Sequence, residues 1–155
     1  MKITIVAVDL RSPAWASTAV EDYLTRFPRD WKVELKTVKE EPRHGQSKSD
    51  LMAAEADRIR KAIPKGAWLC VLTPEGRLLS SEQLADTLRQ AKLGGRSGAC
   101  FLIGSSFGIA PEIKALADLQ LSMSKMTFPH HLARVMALEQ LYRAEAIQAG
   151  SKYHK

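Results

Sequence analysis

Short apolar runs along this chain alternate with segments whose apolar residues recur every three or four positions. Residues 3–8 form a β-branched run and predict a strand. Ser12 and Pro13 predict a helix start, with Ser12 as N-cap and Pro13 at the first helical position. Val20, Tyr23, Leu24 and Phe27 then fall at helical spacing, and Pro28 closes the segment. Val33, Leu35 and Thr37 alternate with Lys32, Glu34 and Lys36, the pattern of a half-exposed edge strand. Residues 39–48 are polar, contain Pro42 and Gly45, and predict a loop. A helix is expected over 51–63, stopped by Pro64 and Gly66.

The second half repeats the alternation. Residues 67–72 and 99–103 are continuously apolar, as in strands buried on both faces. Between them, Ser80 and Gln83 have the spacing of a capping box, and the helix they open runs to about Lys92 before Gly94 and Gly95. Pro111 and Glu112 open a short helix, and 119–123 read as a fifth strand. The longest helix runs from Pro129 to Gly150, with Leu132, Val135, Met136, Leu138, Leu141 and Tyr142 on its apolar side. Strands alternating with helices predict an α/β fold, a mostly parallel sheet flanked by helices, as one domain over 1–155.

In such sheets ligands bind beyond the carboxyl ends of the strands. That rule selects 73–77, the glycine-bracketed 104–108, and 123–129. The 104–108 segment is neither a dinucleotide fingerprint nor a phosphate loop. Cys70 and Cys100 lie inside apolar runs and read as buried thiols, and the four histidines have no ligand spacing to them, so no metal is expected. No apolar run approaches the about 20 residues of a membrane helix, and no cleavage site follows residues 3–10, so the expected location is cytoplasmic with no membrane partner.

Charge changes the picture. Of the net charge of +6, residues 26–65 carry +4 and 123–155 carry +3, around a neutral middle. This fits a polyanionic partner. Residues 121–155 also carry polar and basic groups that a core helix does not need: His130, Arg134, Arg143, Tyr153 and His154. Arg143 has a local partner in Glu139, one turn earlier, and a terminal 153–155 tail would by default be frayed.

Pro129-His130, Arg134-Val135, Glu139-Gln140, Tyr142-Arg143-Ala144 and Tyr153-His154-Lys155 together resemble the C-terminal signature of the ribosomal RNA large subunit methyltransferase H family, of the SPOUT class. Tyr23-Leu24-Thr25-Arg26, the length and the element order extend the resemblance over the whole chain. Two positions depart from the family pattern. Thr73 stands where an aspartate is usual, and Ser105 where a second glycine is usual.

The resemblance implies a C-terminal trefoil knot, a homodimer, and S-adenosyl-L-methionine as methyl donor. It implies methylation of N3 of a pseudouridine in 23S ribosomal RNA of the ribosome. Leu72, Gly104, Met123, Ser124, Lys125, Met126, Thr127 and Phe128 would then bind the cofactor, and Arg26, His130 and Arg134 the RNA. Pseudouridine N3 carries a proton and is a weak nucleophile near neutral pH, so a base or a nearby cation is needed. Arg143, Tyr153 and His154 are the expected catalytic residues: a cation beside the developing charge, a stacking or hydrogen-bonding ring, and an imidazole with an ordinary pKa of about 6.5. Because Thr73 and Ser105 fall in the cofactor loops, the alternative is a catalytically impaired RNA-binding or ribosome assembly factor.

Overall fold

The computed structural model describes residues 1–9 and 11–154. Its elements are β1 (Lys2–Asp9), α1 (Ala14–Arg26), β2 (Lys32–Lys39), α2 (Lys48–Ala62), β3 (Trp68–Leu78), α3 (Ser81–Leu93), β4 (Ala99–Ile103), α4 (Pro111–Lys114), β5 (Leu119–Ser122) and α5 (His130–Gln148). All pairings are parallel and the strand order is β2-β1-β4-β3-β5. The α/β expectation therefore holds. The continuously apolar strands β1, β4 and β3 occupy the middle, where both faces are covered.

Strand alternation sorts the core into two layers. Ile3, Ile5, Ala7, Cys70, Phe101 and Ile103 face α1, α3 and α5. Val6, Val8, Val71, Cys100 and Leu102 face α2 and α4. Helix α5 lies between α1 and α3, and Leu138, Leu141 and Ala144 are fully buried there. At the edge, β2 keeps Val33 and Leu35 half-buried on one face, while Thr37 is exposed and Val38 turns into the opposite layer.

Several boundaries differ from the sequence reading, each for a local reason. Pro13 is the N-cap of α1, and the Ser12 hydroxyl serves Arg134 instead of a helix amide. Ser47 caps α2 by accepting the Asp50 amide, so the helix begins earlier than the apolar pattern shows. The capping box of Ser80 and Gln83 forms as expected.

Strand β3 does not stop at Leu72. It breaks register and pairs again with β5 at Arg77 and Leu78. The backbone passes so close there that a Cβ on Gly76 would lie 2.6 Å from the Leu121 carbonyl carbon and 2.7 Å from that of Gln120. Only glycine fits that crossing. Among the described residues no helix is long and apolar enough to cross a membrane.

Candidate active site

The 72–75 stretch of β3, at its register break, and the segments beyond the carboxyl ends of β4 and β5 line a cavity of about 640 Å³. That volume is in the range of small-molecule sites, about 300–1,000 Å³. Its wall combines apolar residues (Leu72, Ile103, Leu121, Met123, Phe128) with the polar residues Thr73, Ser105, Ser124 and Thr127. Sequence reasoning located these segments through the strand-end rule. It missed Lys48 and Met52 of α2, Lys114 and Ala133, which also line the cavity. Those come from helix faces for which no sequence rule pointed to a ligand.

The 104–108 turn is closed by the Gly108 amide donating to the Ser105 carbonyl at 3.0 Å. Gly108 has φ +92°, a conformation open mainly to glycine. A Cβ on Gly104 would lie 2.6 Å from Ile109 Cγ1 and 3.1 Å from the Gly108 carbonyl. The glycine is thus required by the turn's own packing, and not only by space for a ligand. The Ser105 hydroxyl donates to Glu55 Oε2 at 2.9 Å.

The 123–128 loop is braced from within. The Ser122 hydroxyl donates to the Ser124 carbonyl at 2.8 Å, and the Met126 amide to the Ser124 hydroxyl at 3.0 Å. Met123, Ser124, Met126, Thr127 and Phe128 reach the cavity, and Lys125 does not line it. Glu75 at the rim pairs with Lys114, and that bond with a second from Thr73 pulls its carboxyl down to about 2.

His130 stands at the cavity wall, but Arg134 does not present its guanidinium to a phosphate, as expected of an RNA contact. Its Nη2 donates to Asp9 Oδ2 at 3.0 Å and its Nη1 to the Ser12 hydroxyl at 3.0 Å, with 3% of the residue exposed. Burial opposes ionisation of Asp9, yet the Arg134 hydrogen bond and charge, with His131, outweigh it and lower the Asp9 pKa. Asp9, His130 and His131 offer three metal-type ligand atoms within 4.8 Å of one another. The Arg134 guanidinium already occupies the carboxylate there and opposes a second cation.

The expected catalytic residues gather elsewhere. Arg143 donates from Nε and Nη2 to Glu139 Oε1 at 3.0 and 2.6 Å. The Tyr153 hydroxyl donates to the same oxygen at 3.2 Å. The Tyr153 ring packs on Tyr142 and under the Arg143 guanidinium, 4.9 Å from its centroid. Burial and then Glu139 push the Tyr153 hydroxyl up to about 12.

His154 Nδ1 lies 3.4 Å from Arg143 Nη1, and its Nε2 lies 2.8 Å from Glu82 Oε1. A guanidinium can only donate, so Nδ1 is the acceptor and Nε2–H donates to Glu82. The tail is docked rather than frayed through residue 154; Lys155 lies outside the described residues. Arg26 pairs with Asp22 at 2.5 Å and lies over Tyr23, on the side of α1 that faces this tail.

Arg143 is about 20 Å along the α5 axis from His130 at the cavity wall. Within one chain, none of Arg143, Tyr153 and His154 lines the cavity.

Comparison with known proteins bears on the family and the fold. The family described as "Predicted SPOUT methyltransferase" matches residues 1–154. A ribosomal RNA large subunit methyltransferase H from Methylibium petroleiphilum is 49% identical over all of this chain and 99% of the relative. Proteins of that name from Acidovorax ebreus and Bordetella petrii are each 44% identical at the same coverage. A methylase family protein from Haemophilus influenzae has the same fold at 15% identity and TM-score 0.56, over 97% of this chain and 67% of that one. One from Neisseria gonorrhoeae does so at 14% identity and TM-score 0.54, over 98% and 95%. From a matched family spanning nearly the whole chain and full-length relatives at this identity, the chain belongs to the SPOUT methyltransferase family.

Proposed function

We propose that the protein is a ribosomal RNA methyltransferase that uses S-adenosyl-L-methionine to methylate N3 of a pseudouridine in 23S ribosomal RNA. The observation that carries this reading is the cavity built by the 104–108 turn and the 123–128 loop at the strand ends of a SPOUT fold. Its size and its mix of apolar wall and polar groups suit a nucleoside joined to an amino acid. Leu72, Gly104, Met123, Ser124, Met126, Thr127 and Phe128 would hold the donor, which when bound supplies an electrophilic methyl on a sulfonium. The trefoil knot expected from the family belongs to the same reading.

The residues of the tail suit the acceptor. Arg143 places a permanent cation where charge develops as N3 loses its proton. Tyr153 offers a flat ring for a flipped base, and His154 offers Nδ1 as proton acceptor once Arg143 turns to the substrate. Because these groups sit at the far end of α5 from their own cavity, the reading requires a homodimer. Each cavity would then be faced by the other subunit's tail, an isologous C₂ arrangement. Arg26, on the tail side, and His130, at the cavity wall, would meet RNA, and the location would be the cytoplasm with the ribosome.

The reading of an impaired assembly factor loses support at Ser105, because its hydroxyl is turned to Glu55 rather than left in the cavity. The test is methyl transfer from labelled S-adenosyl-L-methionine to ribosomes that lack the modification, with the modified position mapped by mass spectrometry. Transfer to one pseudouridine is expected. Absence of transfer by protein that binds the donor would favour the assembly factor.

A further inference from the structure

Glu55 is fully buried in α2, and among the described residues no cation lies within ion-pair distance of it. Burying a carboxylate without a counter-charge is costly. Burial accordingly raises its pKa, against the pull of the bonds it accepts. Its two oxygens have separate tasks. Oε2 accepts the Ser105 hydroxyl at 2.9 Å, and Oε1 accepts the Glu41 amide at 2.9 Å. Ser105 Oγ in turn accepts the Phe107 amide at 3.3 Å. One carboxylate therefore joins the turn that walls the cavity to the polar loop after β2.

That loop touches the same turn at further points. Arg43 Nη2 donates to the Ser106 hydroxyl at 3.3 Å, and its guanidinium lies 4.4 Å from the centre of the Phe107 ring. The Ser106 hydroxyl donates to Glu40 at 3.4 Å. Arg58 holds the loop's base through the Lys39 carbonyl and Glu41. The Arg43-bearing loop and the cavity turn are thus one bonded unit with Glu55 at its buried centre.

We propose that Glu55 is a positioning residue for the methyl donor: through Ser105 it fixes the 104–108 turn in its donor-accepting shape, and through Glu41 it ties the Arg43-bearing loop to that turn. The proposal rests on reading the cavity as the S-adenosyl-L-methionine site. Ser105, in the place where a second glycine is usual in the family pattern, is the side chain through which this chain makes the link.

The experiment is calorimetric titration of the full-length protein with S-adenosyl-L-methionine, alongside thermal unfolding of each variant. Glu55→Leu keeps the volume but removes both acceptors, and a loss of affinity of about tenfold is expected, as for a lost charge-assisted bond. Glu55→Gln still accepts from Glu41 but, like protonated Glu55, turns a donor to Ser105 in place of an acceptor, so it should bind with an affinity between those of wild type and Glu55→Leu. Ser105→Ala should weaken binding by a smaller factor. The double variant Glu55→Leu, Ser105→Ala should bind no worse than Glu55→Leu alone, because one residue acts through the other.

A pH series on wild type and Glu55→Gln covers the case in which Glu55→Leu does not fold. Wild-type affinity should fall toward that of Glu55→Gln as the pH is lowered and Glu55 takes up a proton, while Glu55→Gln should lack that step. The other ionisable groups around Glu55 (Glu40, Glu41, Arg58) are common to both proteins. Unchanged affinity in folded Glu55→Leu, multiplicative losses in the double variant, or identical pH profiles would overturn the proposal. Wild-type protein that binds no S-adenosyl-L-methionine would instead overturn the reading of the cavity, and this proposal with it.

Discussion

Arg134 Nη2 sits 3.0 Å from Asp9 Oδ2, joining the start of α5 to the end of β1 across 125 positions of sequence, with the guanidinium almost wholly buried. This pair holds the cavity's helix against the sheet. Removing one partner strands a buried charge, so Asp9→Ala or Arg134→Ala should each cost about 3–5 kcal/mol of stability. Chemical denaturation at neutral pH reads the loss directly.

The same pair sets an acid limit. Because folding lowers the Asp9 pKa, its contribution is full above the unfolded carboxylate value of about 3.9 and is lost as pH falls through the lower, folded value. Wild-type protein should lose stability across that window more steeply than Asp9→Asn, which starts lower and falls less. Parallel curves for the two proteins would show that Asp9 does not set the acid limit.

A third prediction concerns the glycines. Gly76→Ala drives a Cβ into the Leu121 and Gln120 backbone, which cannot yield, and should cost about 3 kcal/mol or more. Gly104→Ala meets Ile109 Cγ1 instead, a side chain that can be shortened. Its cost in stability and in S-adenosyl-L-methionine affinity should shrink when Ile109→Ala is added, and additive costs in a double-mutant cycle would contradict the contact.

The order of elements, the central strands and the segments around the cavity were legible in the sequence because apolar periodicity and the strand-end rule act locally. The long reach of β3 was not, since its second pairing with β5 depends on a register break and on Gly76 fitting against another strand. Nor was the role of Arg134, whose partner is an aspartate 125 positions away. Glu55 gave no signal because a lone glutamate on a polar helix reads as solvated. The family resemblance supplied Arg143, Tyr153 and His154. Their distance from the cavity is visible only once α5 is laid across the sheet.

A fourth prediction separates donor binding from transfer. Deleting 153–155 removes the docked Tyr153 and His154 but no residue of the two core layers, and Arg143→Ala breaks an i,i+4 pair with Glu139 whose side chains are 26% and 19% exposed. Both variants should fold and bind S-adenosyl-L-methionine within about twofold of wild type while losing methyl transfer, since a tail at the far end of α5 does not line its own cavity. Calorimetry and a methylation assay on the same preparations make the comparison.

In the proposed dimer one subunit's cavity works with the other subunit's tail. Subunits lacking 153–155 and subunits carrying Thr127→Trp, which fills the cavity from its exposed loop, should each form inactive homodimers. Co-expressed, they yield mixed dimers with one intact cavity facing one intact tail. Methylation of 23S ribosomal RNA by the purified mixed dimer is the predicted result. A mixed dimer as inactive as its parents, or a wild-type monomer that methylates, would rule out a site shared between subunits.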